Sequence, residues 1–205
     1  MKGHETEADL ADLEEARAGT TERPDDAEAW IRLGRLLHEP GHRYDEAVAT
    51  LNKALEADPN SVKARFWLAR LQVLHFFEAE TAERLLRDAL EIDPNCAECL
   101  TFLISARWDL GAPPDEVLAL ARRAVQAAPE WRAPRQHLVV ALINSGRRHE
   151  ARQELKTLQA LLAMPVPEDP LDAEFETSVT GRSSPTSVMW LERVRQLLDA
   201  PPREN

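Results

Sequence analysis

The sequence predicts an all-α protein made of a row of similar helical pairs. Prolines recur at a fixed interval of 35 residues, at Pro24, Pro59, Pro94 and Pro129. Apolar residues within each interval follow helical spacing. The chain also has only 7 glycines and 5% aromatic residues, which argues against a turn-rich β fold. A period of this size is typical of stacked helical units, because one pair cannot bury its apolar face alone.

Other positions repeat in step with the prolines. Each holds residues of one character in successive intervals, which a chance spacing of prolines would not produce. These positions are Ala54, Ala89 and Ala124; Leu55, Leu90 and Val125; Leu33, Leu68, Leu103 and Leu138; and Leu36, Leu71, Ala106 and Ala141. We therefore expect a right-handed α-solenoid of about four helical pairs, with a capping helix at each end.

The first interval shows how each pair is built. Its first helix is indicated by apolar or small residues at i, i+3, i+4 and i+7, namely Trp30, Leu33, Gly34 and Leu37. The Pro40-Gly41 dipeptide interrupts this pattern. A second apolar stripe then runs from Ala47 to Leu55, and it ends at Asp58-Pro59 because proline lacks the N–H that a helix interior needs.

The same plan divides the chain into segments. The predicted segments are an acidic N-terminal capping helix or half repeat at 1–26; helical pairs at 27–61, 62–96, 97–131 and 132–164; a Pro/Ser-rich linker at 165–184; and a C-terminal amphipathic helix at 185–200. The last helix begins at Ser184-Pro185, an N-cap followed by proline at the first helical position. Its apolar docking stripe comprises Trp190, Leu191, Val194 and Leu198.

These residues resemble a known family. Trp30-Ile-Arg-Leu33-Gly34, followed by Ala47, Leu51, Ala54 and Pro59, is similar to the signature of the tetratricopeptide repeat. The resemblance extends over residues 27–164, with a period of 35 where the family has 34. It implies a scaffold or adaptor that binds an extended peptide or a helix of another protein in a concave groove.

The groove is expected on the side of each first helix that faces away from its packed stripe. Aromatic residues and arginine on that side are the types that anchor protein interfaces. The predicted peptide-binding residues are Arg32, Arg35, His38, Lys63, Phe66, Trp67, Arg70, Phe102, Trp108 and His137. The basic members predict that the bound segment carries an acidic group.

One binding mode of the family does not fit. Members that clamp the C-terminal carboxylate of chaperones carry Lys, Asn and Arg at positions that correspond here to Ile31, Arg35, Trp67, Glu98 and Phe102. Only Arg35 could hold a carboxylate, so we do not expect that mode. Two alternatives stay open. The C-terminal helix could dock in the groove, giving an autoinhibited chain or a homodimer, or the protein could be a secretion-type chaperone that shields a client.

Charge excludes some classes of partner. The net charge is −11, with ten acidic and three basic residues in 1–29 and eight against four in 165–205, while 30–164 is balanced. No basic stripe is present, so nucleic acid is not an expected partner. No apolar run approaches the roughly 18 residues that span a bilayer, and the start has no apolar stretch. We expect a cytoplasmic protein that does not enter membranes.

Catalytic and cofactor motifs are missing from the sequence. It has no glycine-rich phosphate loop, no G-x-S-x-G and no H-E-x-x-H, so we predict a protein that is not an enzyme and uses no cofactor. Cys96 and Cys99 form a single C-x-x-C, but a structural zinc needs four ligands. Cys99 also holds a place that Ala29 and Ala64 fill in other repeats, which favours a packing role.

Overall fold

A computed structural model describes residues 7–38, 43–163 and 186–199 of the chain. Within the last helix, side chains are described for residues 192–196, 198 and 199. These ranges are helical and contain no strand, which confirms the predicted all-α class. The predicted linker at 165–184 lies outside the described residues.

The described helices form four pairs between two single helices. They are α1 (Glu7–Glu22), α2 (Ala27–His38), α3 (Tyr44–Ala57), α4 (Val62–Leu71), α5 (Ala79–Ile92), α6 (Ala97–Asp109), α7 (Pro114–Ala127), α8 (Arg132–Asn144), α9 (Arg148–Leu162) and α10 (Thr186–Asp199). A π-helical turn, Gln72–Phe76, extends α4. The chain divides within α6 into two compact units, 1–106 and 107–205, which are considered separately below.

The core of unit 1 lies between its helical pairs. It is formed by Leu13, Ala16, Ile31, Leu33, Leu37, Ala47, Leu51, Ala54, Ala64, Leu68 and Leu71. Gly34 lets α2 approach α3 closely, because a Cβ atom built at this position would lie 2.7 Å from Cγ of Leu51. Leu13 and Ala16 belong to α1, so the N-terminal helix covers the first pair as a cap.

The recurring prolines lie in turns that side chains reinforce. The indole Nε1 of Trp30 donates a hydrogen bond to the carbonyl of Pro24 at 2.7 Å. At the same position of later repeats, Nη2 of Arg65 donates to the carbonyl of Pro59 at 2.6 Å. In unit 2, Nη2 of Arg135 donates to the carbonyl of Pro129 at 2.8 Å. After three of the four prolines, the residue six places later thus ties the turn to the helix that follows it, whereas Leu100 has no side-chain donor for the turn at Pro94.

The turns inside the pairs differ in backbone chemistry. Gly111 and Gly146 have φ values of 69° and 73°, in the left-handed region that glycine enters without strain. In the second pair a π-helical turn precedes the connection, and Phe77 takes the left-handed conformation there, with φ of 57°. This pair has no glycine at its inner turn.

Unit 2 is held by packing and by arginine–glutamate contacts between its helices, two of which are partly buried. The guanidinium of Arg107 donates two hydrogen bonds of 2.9 Å to the carboxylate of Glu116, which joins the end of α6 to α7. Arg135 forms an ion pair with Glu154 across α8 and α9. None of the described helices combines the length and the apolar character needed to cross a membrane.

Candidate functional site

Trp67 is the centre of a cationic and aromatic group on unit 1. The guanidinium carbons of Arg35, on α2, and Arg70, on α4, each lie 4.8 Å from the centroid of its ring. The π face of an indole carries partial negative charge, so both cations are attracted to it. The repeat places Arg35 and Arg70 at equivalent positions, 35 residues apart.

Two phenylalanines extend this group. The ring of Phe66 packs edge-on against Trp67, with centroids 5.5 Å apart, and against Phe102 of α6 at 5.3 Å. Edge-to-face contacts of this kind favour fixed ring positions. We call Arg35, Phe66, Trp67, Arg70 and Phe102 the Trp67 cluster. Five of the ten predicted binding residues therefore come together on one unit.

The cluster is less exposed than the sequence predicts. Arg35 is exposed and the rings of Trp67 and Phe102 are half-buried, but Phe66 and Arg70 are only 7% and 3% exposed. The reason is that neighbouring first helices pack side by side, as α2 does against α4. That flank of each first helix is buried in unit 1, at Ile31, Phe66 and Thr101. The face of each first helix that is open to solvent is therefore narrower than the sequence predicts.

Two other basic residues predicted for this face, Arg32 and Lys63, form ion pairs with acidic residues. Nη1 of Arg32 lies 3.0 Å from Oε1 of Glu15 on α1, and Nζ of Lys63 lies 2.8 Å from Oε1 of Glu28. Arg70 is buried beneath Trp67. Arg35, by contrast, is exposed and forms no ion pair with another described residue.

His38 belongs to an internal contact and not to the open face on which it was predicted. Its Nε2 lies 2.8 Å from Nε2 of His75, in the π-helical turn, so one imidazole donates and the other accepts a hydrogen bond. The ring of Tyr44 stacks on His75 at 3.7 Å. His38 is buried because the first two pairs meet at this point. His75 and Tyr44 were not predicted, since nothing in the sequence marks the π-helical turn.

Unit 2 places the remaining two predicted groove residues together. Trp108 and His137 have ring centroids 5.4 Å apart. Burial lowers the pKa of His137 to about 4, because the charged imidazolium would lose its hydration. The imidazole is therefore neutral at physiological pH, and this contact is aromatic without a positive charge on His137.

The C-terminal docking stripe is partly described. Val194 and Leu198 are buried, and α10 packs against both α8 and α9. In unit 1, the first helix α4 contacts α2 and α3 in the same manner. Within unit 2, α10 thus takes the place that the first helix of a further pair would take. The side chains of Trp190 and Leu191, the other predicted members, are outside the described set.

The two cysteines have structural roles in the third pair. Sγ of Cys96 accepts a hydrogen bond from the N–H of Cys99 at 3.2 Å, just as Oγ of Ser61 accepts from the N–H of Ala64 one repeat earlier. Cys96 is therefore a helix N-cap. A hydrogen bond with Cys96 and burial both raise the pKa of the Cys99 thiol far above its ordinary value. A thiol held protonated in this way is a poor metal ligand and a poor nucleophile.

Comparison with known proteins agrees with this geometry at the level of fold. In the solved structure of YrrB, titled a tetratricopeptide repeat protein with an unusual peptide-binding site, the match covers 90% of this chain and 93% of that one. The TM-score is 0.63 at 19% identity. MamA 41-end from Desulfovibrio magneticus RS-1 matches with a TM-score of 0.62 at 18% identity, over 76% of this chain and 86% of that one. No curated protein sequence matches significantly.

The fold and these similarities define a class, the helical repeat proteins. Residues 41–103 match the family model described as tetratricopeptide repeat. This confirms, over those residues, the resemblance predicted from the sequence.

Proposed function

We propose that the protein is an interaction scaffold whose unit 1 binds an extended segment of a partner protein on the Trp67 cluster. Stacked helical pairs present long surfaces to other chains, and this architecture is widely used for protein binding. The observation that carries the proposal is the position of Arg35. Its guanidinium is exposed, lies over Trp67 and has no acidic partner among the described residues.

The cluster supports a ligand with an acidic group next to an apolar side chain. Arg35 supplies a cation whose fork geometry suits a carboxylate. The half-buried rings of Trp67 and Phe102 supply apolar contact area, while Phe66 and Arg70 hold Trp67 in place from beneath. Rigid aromatic anchors of this kind dominate the affinity of many interfaces. Since Arg32 and Lys63 are paired, the surface suits one anionic group better than a run of them.

A peptide library displayed on phage tests this proposal. With the wild-type chain we expect enrichment of sequences that have Asp or Glu beside an aromatic or aliphatic residue. Arg35→Glu should shift the preference from acidic to basic residues, because the sign of the local charge reverses. Trp67→Ala should lower the affinity of enriched peptides by roughly tenfold or more, as loss of a central aromatic anchor does.

Lys63→Glu is the matched control, because it changes charge by the same amount on the same unit at an exposed ion pair. It should leave the acidic preference in place. Circular dichroism and thermal unfolding check that each variant is folded. The proposal fails if Arg35→Glu and Trp67→Ala select the same peptides as the wild type.

A further inference from the structure

We call the surface of α8 and α9 that contacts α10 the end seat. It includes Arg152 on α9. Of the seven side chains described between residues 192 and 199, Val194 and Leu198 are buried and the other five are exposed. These two residues are four apart and form one stripe. By comparison, α4 buries six of its ten residues.

Among the described residues of the end seat, Arg152 makes polar contacts with α10. Its Nη2 donates a hydrogen bond of 2.6 Å to the carbonyl of Leu198, and it lies 3.7 Å from Oδ1 of Asp199. The last carbonyls of a helix have no partner within the helix, and that end carries partial negative charge. Arg152 therefore recognises two general features, a helix end and an acidic side chain.

We propose that the end seat is a binding site for a short amphipathic helix with an apolar i, i+4 pair and a terminal acidic residue, and that α10 is its intramolecular occupant. A tethered ligand has an effective concentration on the order of millimolar. An external helix of the same chemistry therefore binds only by displacing α10. This site lies on unit 2 and does not depend on the Trp67 cluster.

Binding of a labelled synthetic peptide of residues 186–199 to the full-length chain tests the proposal. In the full-length variant Leu198→Asp, the tethered helix loses one of the two side chains that the structure describes as buried in the end seat, and it leaves the end seat available. We expect the peptide to bind this variant at least roughly tenfold more tightly than the wild type, where α10 competes. Fluorescence anisotropy measures both affinities. Equal binding to the two chains, or no binding to the variant, would overturn the proposal.

Two controls separate the end seat from a non-specific apolar surface. A peptide that itself carries Leu198→Asp should not bind the variant chain. A peptide with Asp199→Asn, or the variant chain with Arg152→Gln added, should bind roughly 5-fold to 10-fold more weakly, since a charge-assisted contact is lost. Affinity that is unchanged by both substitutions contradicts the role of Arg152.

A second measurement keeps the proposal testable if Leu198→Asp does not fold. Arg152 is about half exposed, so Arg152→Gln alone should leave the fold intact. Amide hydrogen exchange in α10 should then become severalfold faster, while exchange in α8 stays the same. Unchanged exchange in α10 would contradict the proposal, and faster exchange confined to α10 would support it.

Discussion

Trp67 in unit 1 and His137 in unit 2 hold the same position of the repeat, 70 residues apart, yet their surroundings differ in charge. Arg70 follows Trp67 by three residues, and Val140 follows His137 by three. Trp67 therefore contacts two guanidinium groups, while His137 is a neutral imidazole against Trp108. The repeat fixes where side chains lie, and single substitutions at those places decide the electrostatics of each unit.

Lowering the pH should produce the largest difference between the two sites in their contribution to stability. His137 has a pKa of about 4 in the folded chain against about 6.5 when unfolded. As the pH falls, His137 therefore binds a proton in the unfolded chain before it does so in the folded chain. The contribution of the neutral imidazole to the free energy of unfolding is fully present above pH 7 and is lost between about pH 6.5 and pH 4. The expected loss is roughly 3 kcal/mol.

Urea unfolding at several pH values measures this loss. The substitution His137→Phe introduces the residue type that Phe102 provides in the preceding pair. It should remove the contribution of His137 to the pH dependence of the free energy of unfolding and leave that of the carboxylates. If wild type and His137→Phe lose stability in parallel between pH 7 and pH 4, the neutral buried imidazole is not supported.

Packing at a second shared position should give the next largest effect. Gly34 in unit 1 corresponds to Val139 in unit 2, which is fully buried. Gly34→Ala should destabilise the protein by about 1–2 kcal/mol, because overpacking against Leu51 outweighs the gain of roughly 1 kcal/mol in helix propensity. Thermal unfolding measures this loss of stability. Gly19→Ala in α1, where the nearest atom is 3.7 Å away, is the control and should be neutral or stabilising.

The coupling between Arg35 and Trp67 should be smaller. A double-mutant cycle with Arg35→Ala and Trp67→Leu should give an interaction free energy of about 0.5–1 kcal/mol, as expected for an exposed cation over an aromatic ring. Denaturant unfolding of the four proteins gives the value. A cycle of Val140→Ala with His137→Leu lacks a cation and should show no change in coupling with added salt. A coupling of zero between Arg35 and Trp67 would mean that the ring does not hold the guanidinium.

The smallest effect is expected at the ion pair of Lys63 with Glu28. Both side chains are more than 60% exposed, so Lys63→Gln should cost less than about 0.5 kcal/mol. The difference should vanish in 1 M salt, where exposed charges are screened. A larger loss in chemical denaturation would show that this pair, and not Arg35 alone, shapes the charge of unit 1.

Much of the fold could be predicted because the repeat signals are local. The prolines, the helical spacing and the small residues each act within one pair, and Gly34 and Pro59 do in the structure what their chemistry predicts. Burial around the groove could not be predicted in this way. Whether Phe66 faces solvent depends on how closely α2, α4 and α6 lie side by side, which no single helix encodes.

Pairing between distant side chains was also beyond the sequence. The sequence alone presents Lys63 as a cation without a partner. The structure shows that it pairs with Glu28, one repeat earlier. The contact of His38 with His75 depends on the π-helical turn, and no residue of that turn has a chemistry that marks it in the sequence. The proposed roles of the predicted groove residues in binding are still predictions.

The cap formed by Cys96 gives the third pair a chemical probe of its own. The Cys99 sulfur is fully enclosed while the start of α6 is intact. A thiol reagent can modify it only during moments when that helix end comes away from its neighbours. The rate of modification therefore measures how often this local opening occurs in the natural chain. A ligand that stabilises α6 would slow the reaction without contacting either cysteine.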